Sequence, residues 1–222
     1  MCDNCQVTNN LDSHRKRLTD YPRPSVAVDT AVLTVHDDQL CVALVPAQTA
    51  RRLATGPALQ RLPGTFVHEG ETLADAVRRS LADKAGIRGL SPVQLQVFDA
   101  PGRDDRGWVM SVAHIVVVPH QALADVAVVP VSAAHDLAFD HDQIVELALA
   151  RLRLDYTETP DPARLLGDEF TLLALQRLHE SVAGERLMRD TFRRGMERKL
   201  EPTGQLQTGT VGKPARLFRR LL

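Results

Sequence analysis

The chain has 222 residues, of which 44% are hydrophobic and 25% charged, a composition that predicts a soluble globular protein of one large or two smaller domains. No apolar run approaches the roughly 18 residues of a membrane span, and the N-terminal residues lack the basic-then-apolar order of a secretory signal, so we expect a cytoplasmic protein with no membrane partner. The net charge of −1 hides an asymmetry, because residues 1–163 carry 15 basic and 21 acidic side chains whereas residues 164–222 carry 12 and 7. The basic C-terminal part favours an anionic partner.

The first predicted element is a β-hairpin that follows a polar leader, residues 1–20. Cys2 and Cys5 of the leader form a single C-x-x-C pair, which supplies too few ligands for a zinc site, and we expect no metal there. The hairpin consists of two runs rich in Val and Leu on either side of residues 36–39. Its second strand contains Cys41, which we expect to be a buried apolar residue.

A capped helix is predicted next. Pro63 and Gly64 indicate a turn before it, and the apolar spacing of residues 73–85 is helical. Thr72 has the N-cap position, Asp75 completes a capping box and Gly86 follows the last turn. Both ends of this helix are therefore specified by local sequence.

Two strands and a second helix complete the first part of the chain. The runs at residues 93–98 and 108–118 predict strands, joined by a turn-rich segment. A helix is predicted over residues 140–154, with Asp140 as its N-cap and an apolar side formed by Ile144, Leu147, Ala148, Leu152 and Leu154. The mixture of strands and helices predicts an α/β domain over residues 21–155.

A change in composition then indicates a domain boundary. Residues 156–163 contain two prolines and few apolar side chains, and we interpret them as a linker. Residues 164–222 contain two helical patterns separated by Gly184, followed by a Gly-rich segment that favours a hairpin. This order predicts a winged helix-turn-helix domain.

Residues 62–87 resemble the Nudix box, the loop-helix-loop signature of enzymes that hydrolyse nucleoside diphosphates linked to another group. Glu71, Arg79 and Gly86 match that pattern in residue type and spacing. Four positions depart from it, because the pattern has one Gly and three Glu where this chain has Thr65, Ser80, Asp83 and Lys84. The resemblance implies an α+β sandwich of the Nudix type.

These departures decide what the helix can bind. Carboxylates three and four residues apart share a helix face, and in the family they hold Mg²⁺ together. Ser80 is a weak neutral ligand, Lys84 puts a positive charge where the cation belongs, and Asp83 has Arg79 as a competing partner. We therefore predict no metal site, no catalytic residue and no efficient hydrolysis. Instead we expect a binding cleft that uses Glu71, Arg79 and Lys84, with the basic groups neutralising phosphates directly.

A second candidate binding region lies in the turn-rich segment between the strands. Arg103 and Arg106 suit phosphates, Asp104 can accept hydrogen bonds from ribose hydroxyls, and Trp108 can stack on a flat base. The segment resembles the "PGRDPRG" loop of Nudix proteins that act on ADP-ribose, and residues 139–144 resemble another segment of that group, which makes His141 a candidate ligand contact. The alternatives are a solvated turn with a buried tryptophan, and a structural histidine.

The third candidate site is a basic helix, residues 187–200. Met188, Phe192, Met196 and Leu200 recur every four residues and predict a buried stripe. A basic face remains, and as the second helix of a helix-turn-helix it would enter the major groove. We assign DNA contacts on this helix to Arg189, Thr191, Arg193, Arg194, Arg198 and Lys199, and phosphate contacts in the wing to Lys213 and Arg216. The alternative is a basic domain that mediates subunit contacts.

The order of these parts resembles the Nudix-related transcriptional regulators of NAD metabolism, the NrtR family, over about residues 20–222. The most specific parts of the likeness are "PGRDDRGWV" and "TFRRGMERKLEPTG". The resemblance implies a homodimeric repressor that binds a palindromic operator in double-stranded DNA upstream of NAD-biosynthesis or salvage genes. It also implies that ADP-ribose binds as effector and releases the DNA, with no cofactor required. The alternatives are an ADP-ribose pyrophosphatase with a basic appendage, a sugar sensor such as an arabinose regulator, and a non-enzymatic scaffold.

Overall fold

A 12-residue strand, β1 (Ser25–His36), runs through the centre of the first domain in the computed structural model, which describes residues 11–47, 59–123, 126–207 and 214–221. Residues 27–34 of this strand are all buried, because helices cover both faces of the sheet. This explains a run of Val, Ala and Leu without the alternation of a half-exposed strand.

The first domain continues with β2 (Gln39–Ala43), β3 (Val45–Pro46), β4 (Gln60–Arg61), β5 (Gly64–Phe66), α1 (Leu73–Ala85), β6 (Val93–Phe98), β7 (Val109–Val117), β8 (Val128–Pro130) and α2 (His141–Glu158). The main sheet has the order β6-β7-β1-β2-β8, and β5 pairs with the start of β1. Strands β1 and β7 are parallel, whereas the other pairs are antiparallel. Helix α1 packs on one face and α2 on the other, which confirms the predicted α/β domain.

The second domain contains β9 (Phe170–Thr171), α3 (Leu172–Ala183), α4 (Arg189–Met196), β10 (Leu200–Leu206) and β11 (Arg216–Arg220). The strands form a sheet in the order β10-β11-β9. Gly184 ends α3 with φ +79°, a conformation that glycine adopts without strain. Two helices and a hairpin around a small core are the winged helix-turn-helix predicted above. Cys2, Cys5 and Lys213 lie outside the described residues.

The first helix agrees with its prediction. Helix α1 begins after Thr72, whose hydroxyl accepts from the Asp75 backbone N–H, while the Asp75 carboxylate accepts from the Thr72 N–H. Gly86 ends the helix with φ +66°. Local sequence therefore sets both ends of this helix.

Two predictions about the later helices are wrong, and a third is confirmed for position alone. Leu154 is 69% exposed, because it lies two residues beyond the buried Leu152 and so on the opposite side of α2. Met188 is 79% exposed, because it precedes α4 in an extended conformation and lies outside the stripe of Phe192 and Met196. Asp140 has the N-cap position of α2 but makes no side-chain capping bond.

One apolar cluster includes side chains of both domains. Leu178 and Val182 of α3 pack in the same cluster as Leu40 of β2 and Leu152 of α2. The hydroxyl of Ser181 donates to the carbonyl of Asp38 at the tip of the β1–β2 hairpin, at 2.9 Å. The second domain is thus docked on the first by buried side chains. None of the helices in the described ranges is long and apolar enough to cross a membrane.

The segment between the domains is anchored by a buried aspartate. The carboxylate of Asp161 accepts hydrogen bonds from the hydroxyl of Tyr156 at 2.9 Å and from the backbone N–H groups of Leu165 and Leu166 at 3.0 Å. The guanidinium of Arg220, on the last strand, lies 3.5 Å away. Burial, and then the Asp161 charge, raise the pKa of Tyr156. One buried carboxylate therefore joins α2, the connecting segment and β11.

Candidate functional site

A cleft of about 180 Å³ opens where β1, β4, β5 and α1 meet the loop before β7, and polar side chains line it. A neighbouring cavity of about 460 Å³ shares Arg103 and Phe139 with it. Small-molecule sites usually occupy about 300–1,000 Å³. The two adjoining cavities therefore offer a space that suits a nucleotide-sized ligand.

Glu71 and Arg79 form an ion pair beside this cleft, with Nε of Arg79 2.7 Å from a carboxylate oxygen of Glu71. Arg79 also donates to the carbonyl of Phe66 at 2.9 Å and to the hydroxyl of Thr65 at 3.2 Å. The hydrogen bond from Arg79, and then that from the backbone N–H of His68, lower the pKa of Glu71 to about 2. The pair therefore stays ionised at neutral pH and fastens the loop after β5 to α1.

The helix positions that hold metal in Nudix hydrolases lack a joint set of carboxylates. Ser80 is 1% exposed, and Asp83 points to solvent. The ammonium group of Lys84 donates to the carbonyl of Gly64. Burial, and then the Arg61 charge, lower the pKa of Lys84. Among the residues that the structure describes, no group of three or more His, Cys, Asp or Glu side chains could hold a metal ion.

A buried aspartate, which the sequence analysis missed, lies under the cleft. Asp29 accepts from the hydroxyl of Ser111 at 2.6 Å and lies 3.4 Å from Nε2 of His141. Burial alone would raise the pKa of Asp29, but His141, Ser111 and the Arg103 charge outweigh it and lower the pKa. An acidic residue inside an otherwise apolar strand was the only signal for it in the sequence.

His141 has a structural position. It is 1% exposed, and its Nδ1 accepts a hydrogen bond from the backbone N–H of Leu62 at 2.9 Å. Its other ring nitrogen faces Asp29. Since both nitrogens have protein partners, the geometry favours the structural alternative over a ligand contact.

Arg103 is held by the protein as well. Its side chain is 4% exposed, its Nε donates to the carboxylate of Asp140 at 2.8 Å, and its Nη2 lies 3.6 Å from a carboxylate oxygen of Asp29. This ion pair explains why the Asp140 side chain makes no capping hydrogen bond at the start of α2. Arg103 therefore fixes the loop before β7 to the start of α2, and only its edge reaches the two cavities.

The remaining loop residues face the cleft or solvent. Arg106 pairs with the buried Asp104 at 2.8 Å, and its guanidinium lies 5.4 Å from the ring centres of both Phe66 and Phe139. Trp108 is 57% exposed, so the alternative of a buried tryptophan is wrong. An exposed indole in the same loop as Arg106 is free to stack on a flat ring.

Arg61 of β4 is the second cleft residue that the sequence analysis missed. It lines the cleft together with Lys84 and Arg106, and it precedes the segment that resembles the Nudix box. A single charge within "LQRLPG" was the only signal for it.

Gly64 was predicted to lie in a turn, but it begins strand β5 and packs against β1. A Cβ atom at this position would lie 1.8 Å from Oδ1 of Asp29 and 2.8 Å from the carbonyl oxygen of Val28. We expect Gly64→Ala to lower the free energy of unfolding by about 1–3 kcal/mol, the usual cost of overpacking. Urea denaturation measures this, with Gly195→Ala as a control at a position in α4 where φ is not positive and no atom lies within 4 Å of the added Cβ. Equal effects of the two substitutions would contradict the close packing.

The predicted DNA-binding helix presents a basic face. Phe192 and Met196 of α4 are buried in the core of the second domain. Exposed side chains on the other faces are those of Arg189, Thr191, Arg193, Arg194 and Arg198. Arg193 pairs with Glu197 at 2.9 Å. This arrangement leaves most of the positive charge of the helix in solvent.

Lys199 and Arg216 differ from that group. The ammonium of Lys199 lies 2.7 Å from the carboxylate of Glu158, so it joins the second domain to the end of α2. Arg216 is exposed at the start of β11, on the hairpin of the second domain. Lys199 therefore has a protein partner that competes with any DNA contact.

Comparisons with known proteins agree with this architecture. Residues 162–220 match the family model described as the NrtR DNA-binding winged helix domain. The ADPR responsive transcriptional repressor NtrR of Acinetobacter baylyi is 29% identical over 90% of this chain and 84% of its own length. Shewanella oneidensis NrtR, solved in complex with a 27mer DNA, is 33% identical and superposes with a TM-score of 0.72 over 88% of this chain and 93% of that chain.

The first domain has its own match. The Nudix domain of Shewanella oneidensis NrtR, solved with ADP ribose, is 31% identical with a TM-score of 0.51, over 63% of this chain and 95% of that chain. The matches thus include a Nudix domain and a winged helix domain. The chain belongs to the NrtR family of Nudix-related transcriptional regulators.

Proposed function

We propose that this protein is a transcriptional repressor of NAD-biosynthesis or salvage genes, and that its Nudix-like domain binds ADP-ribose or a related nucleotide, which releases the DNA. The proposal rests on the combination of two features in one chain. The first domain has a cleft with cations in place of metal-binding carboxylates, and it packs against a winged helix domain with an exposed basic face. A sensor needs a site that binds its ligand without destroying it.

The effector is proposed from two lines of support. Lys84 and Arg106 line the cleft and suit phosphates, and the loop that contains Arg106 also carries the exposed Trp108, which can stack on a base. The Nudix domain of the Shewanella oneidensis relative was solved with ADP ribose, and the Acinetobacter baylyi relative is named as ADPR responsive. These names support ADP-ribose over a plain sugar such as arabinose.

The proposal includes the absence of efficient hydrolysis. Metal-assisted hydrolysis needs ligands that hold the ion and lower the pKa of a bound water. Ser80 carries no negative charge, Lys84 carries a positive one and cannot coordinate a cation, and Asp83 is exposed to solvent. We expect at most trace release of AMP from ADP-ribose.

Helix α2 offers a physical route between the two sites. Its first residues contact the cleft, since Asp140 precedes it and pairs with Arg103. Its last turns contact the second domain, through Arg153, which donates to the carbonyl of Val182, and through Glu158, which pairs with Lys199. A ligand that changes the Arg103–Asp140 contact would thereby bias the position of the winged helix. In a dimer on a palindromic operator, a shift of a few ångströms between half-sites is enough to lose register.

A gel shift tests the whole proposal. The probe is the DNA upstream of the protein's own gene, and the titration is done with and without ADP-ribose, at several Mg²⁺ concentrations. We expect specific binding that ADP-ribose weakens by at least about tenfold, a coupling of roughly 1.4 kcal/mol. Unchanged DNA affinity at saturating ADP-ribose would contradict the effector role.

The alternatives have distinct outcomes in the same experiments. An ADP-ribose pyrophosphatase would release AMP and ribose phosphate in the presence of Mg²⁺. A regulator that senses arabinose would respond to that sugar and ignore the nucleotide. A scaffold would show no salt-dependent binding to duplex DNA.

A further inference from the structure

The residues at the metal position of the Nudix fold do not fit a divalent cation. The hydroxyl of Ser80 is buried and, among the described residues, has no hydrogen-bond partner. Lys84 places an ammonium group inside the cleft. A bound Mg²⁺ would meet a fixed positive charge and, at the helix positions that hold metal in Nudix hydrolases, only one carboxylate, the exposed Asp83. Another source of positive charge must therefore neutralise any diphosphate bound there.

Arg61 is placed to supply that charge. Within the described part of the chain, its Nε is buried and makes no hydrogen bond. A buried donor without a partner costs about 1–3 kcal/mol, so an acceptor in the cleft would recover that free energy. Burial lowers the pKa of the guanidinium, Asp29 opposes that shift and Arg106 adds to it. The guanidinium nevertheless remains charged at neutral pH, because its intrinsic pKa is so high.

The neighbouring carboxylate, Asp29, offsets only part of this charge, because it acts on both Arg61 and Lys84. Asp29 is already bound by Ser111 and lies close to His141 and Arg103. The cleft is lined by three further cations, Arg61, Lys84 and Arg106, and Arg106 has Asp104 as its partner. The uncompensated positive charge is therefore concentrated at Arg61 and Lys84.

We propose that Arg61 and Lys84 together take the place of the divalent cation and bind the diphosphate of the effector directly, so that ligand binding needs no metal. An arginine offers a planar fork of N–H donors to phosphate oxygens, and a lysine adds a point charge. We call this pair of side chains the clamp. Neither group can lower the pKa of a bound water as a metal does, so the clamp binds a pyrophosphate without activating a nucleophile. The identity of the nucleotide rests on the function proposed above, whereas the clamp concerns only the diphosphate.

Calorimetric titration of the full-length protein tests the clamp. ADP-ribose is titrated in buffer with EDTA and in buffer with Mg²⁺, and sodium pyrophosphate is titrated in EDTA as a second probe. We expect dissociation constants for ADP-ribose that agree within about twofold between the two buffers. Arg61→Gln should weaken both ligands by at least about tenfold, since it removes a charge-assisted contact. Arg61→Lys should lose less, because it keeps the charge.

Two controls separate the clamp from folding and from net charge. Arg88→Gln removes an exposed charge just beyond α1 and should leave both affinities unchanged. Arg61→Gln should still unfold in one cooperative thermal transition, which shows that a loss of ligand affinity is not a loss of the fold. If Arg61→Gln does not fold, the ligand affinities of Arg61→Lys are compared with those of the wild-type protein instead.

The outcomes for the clamp and for the effector are distinguishable. Tight ADP-ribose binding that EDTA abolishes, or that Arg61→Gln leaves intact, would overturn the clamp while the repressor function stood. Pyrophosphate binding in EDTA that depends on Arg61, without any binding of ADP-ribose, would support the clamp and overturn the effector. Binding of neither ligand by the wild-type protein would overturn both.

Discussion

Replacing Asp161 by alanine is expected to lower the free energy of unfolding by about 3–5 kcal/mol, the cost of removing one partner from a buried ion pair. Asp161 is 1% exposed and accepts three hydrogen bonds, from Tyr156 and from two backbone N–H groups. The substitution would leave these donors and the charge of Arg220 without their carboxylate. Urea denaturation, followed by circular dichroism, measures the loss.

Matched substitutions define what the Asp161 result means. Asp155→Ala, at an exposed position of α2 that pairs with Arg151, should cost less than about 1 kcal/mol, as surface ion pairs do. Asp161→Asn keeps one carbonyl acceptor and should fall between the two. A loss for Asp161→Ala as small as that for Asp155→Ala would show that the carboxylate does not hold the domains together.

The same contacts bear on how the protein signals. Because Leu178 and Val182 of the second domain lie in the core of the first, the winged helix has few ways to move independently. A switch is then more easily made by a rotation of docked bodies than by a flexible tether. We therefore expect variants of Asp161 to weaken the response of DNA binding to ADP-ribose, as well as stability.

Local sequence predicted those parts of the fold that local interactions determine. Both ends of helix α1 lie where the sequence predicts them. Thr72 and Asp75 form hydrogen bonds within the first turn and Gly86 ends the last turn, so each acts on nearby residues. The β1–β2 hairpin agrees because its turn lies between two apolar runs. The burial of Leu154 and Met188 was predicted wrongly, since each prediction needed the phase or the starting residue of a helix to be known to within two residues.

Long-range contacts explain what the sequence could not provide. Arg103 and Asp140 are 37 residues apart in the sequence. Taken singly, Arg103 suggests a phosphate ligand and Asp140 a helix cap, and only the fold shows that they form an ion pair. Asp161 lies in a segment whose prolines and acids indicate a linker. Its burial could not be predicted from that segment, because its partner Arg220 is 59 residues further along the chain. Arg61 is a single charged residue in β4. Its place in the cleft beside Lys84 of α1 depends on how the two elements pack, which the sequence does not show.

The second large effect is expected at the basic helix. The double substitution Arg189→Gln and Arg194→Gln should weaken operator binding by at least about a hundredfold, since base and phosphate contacts of arginine are worth about 1–3 kcal/mol each. Both side chains are exposed on α4, and among the described residues neither takes part in an ion pair. Fluorescence anisotropy with labelled operator DNA measures the affinity.

The salt dependence of this binding separates a groove-reading helix from general attraction. Loss of phosphate contacts lowers the slope of log affinity against log salt, whereas loss of base contacts relaxes the preference for operator over random DNA. The control, Arg88→Gln with Arg151→Gln, removes the same charge from the first domain and should change affinity by less than about threefold, because charges away from the interface act only through screened attraction. Equal losses in both double variants would mean that net charge, rather than α4, binds the DNA.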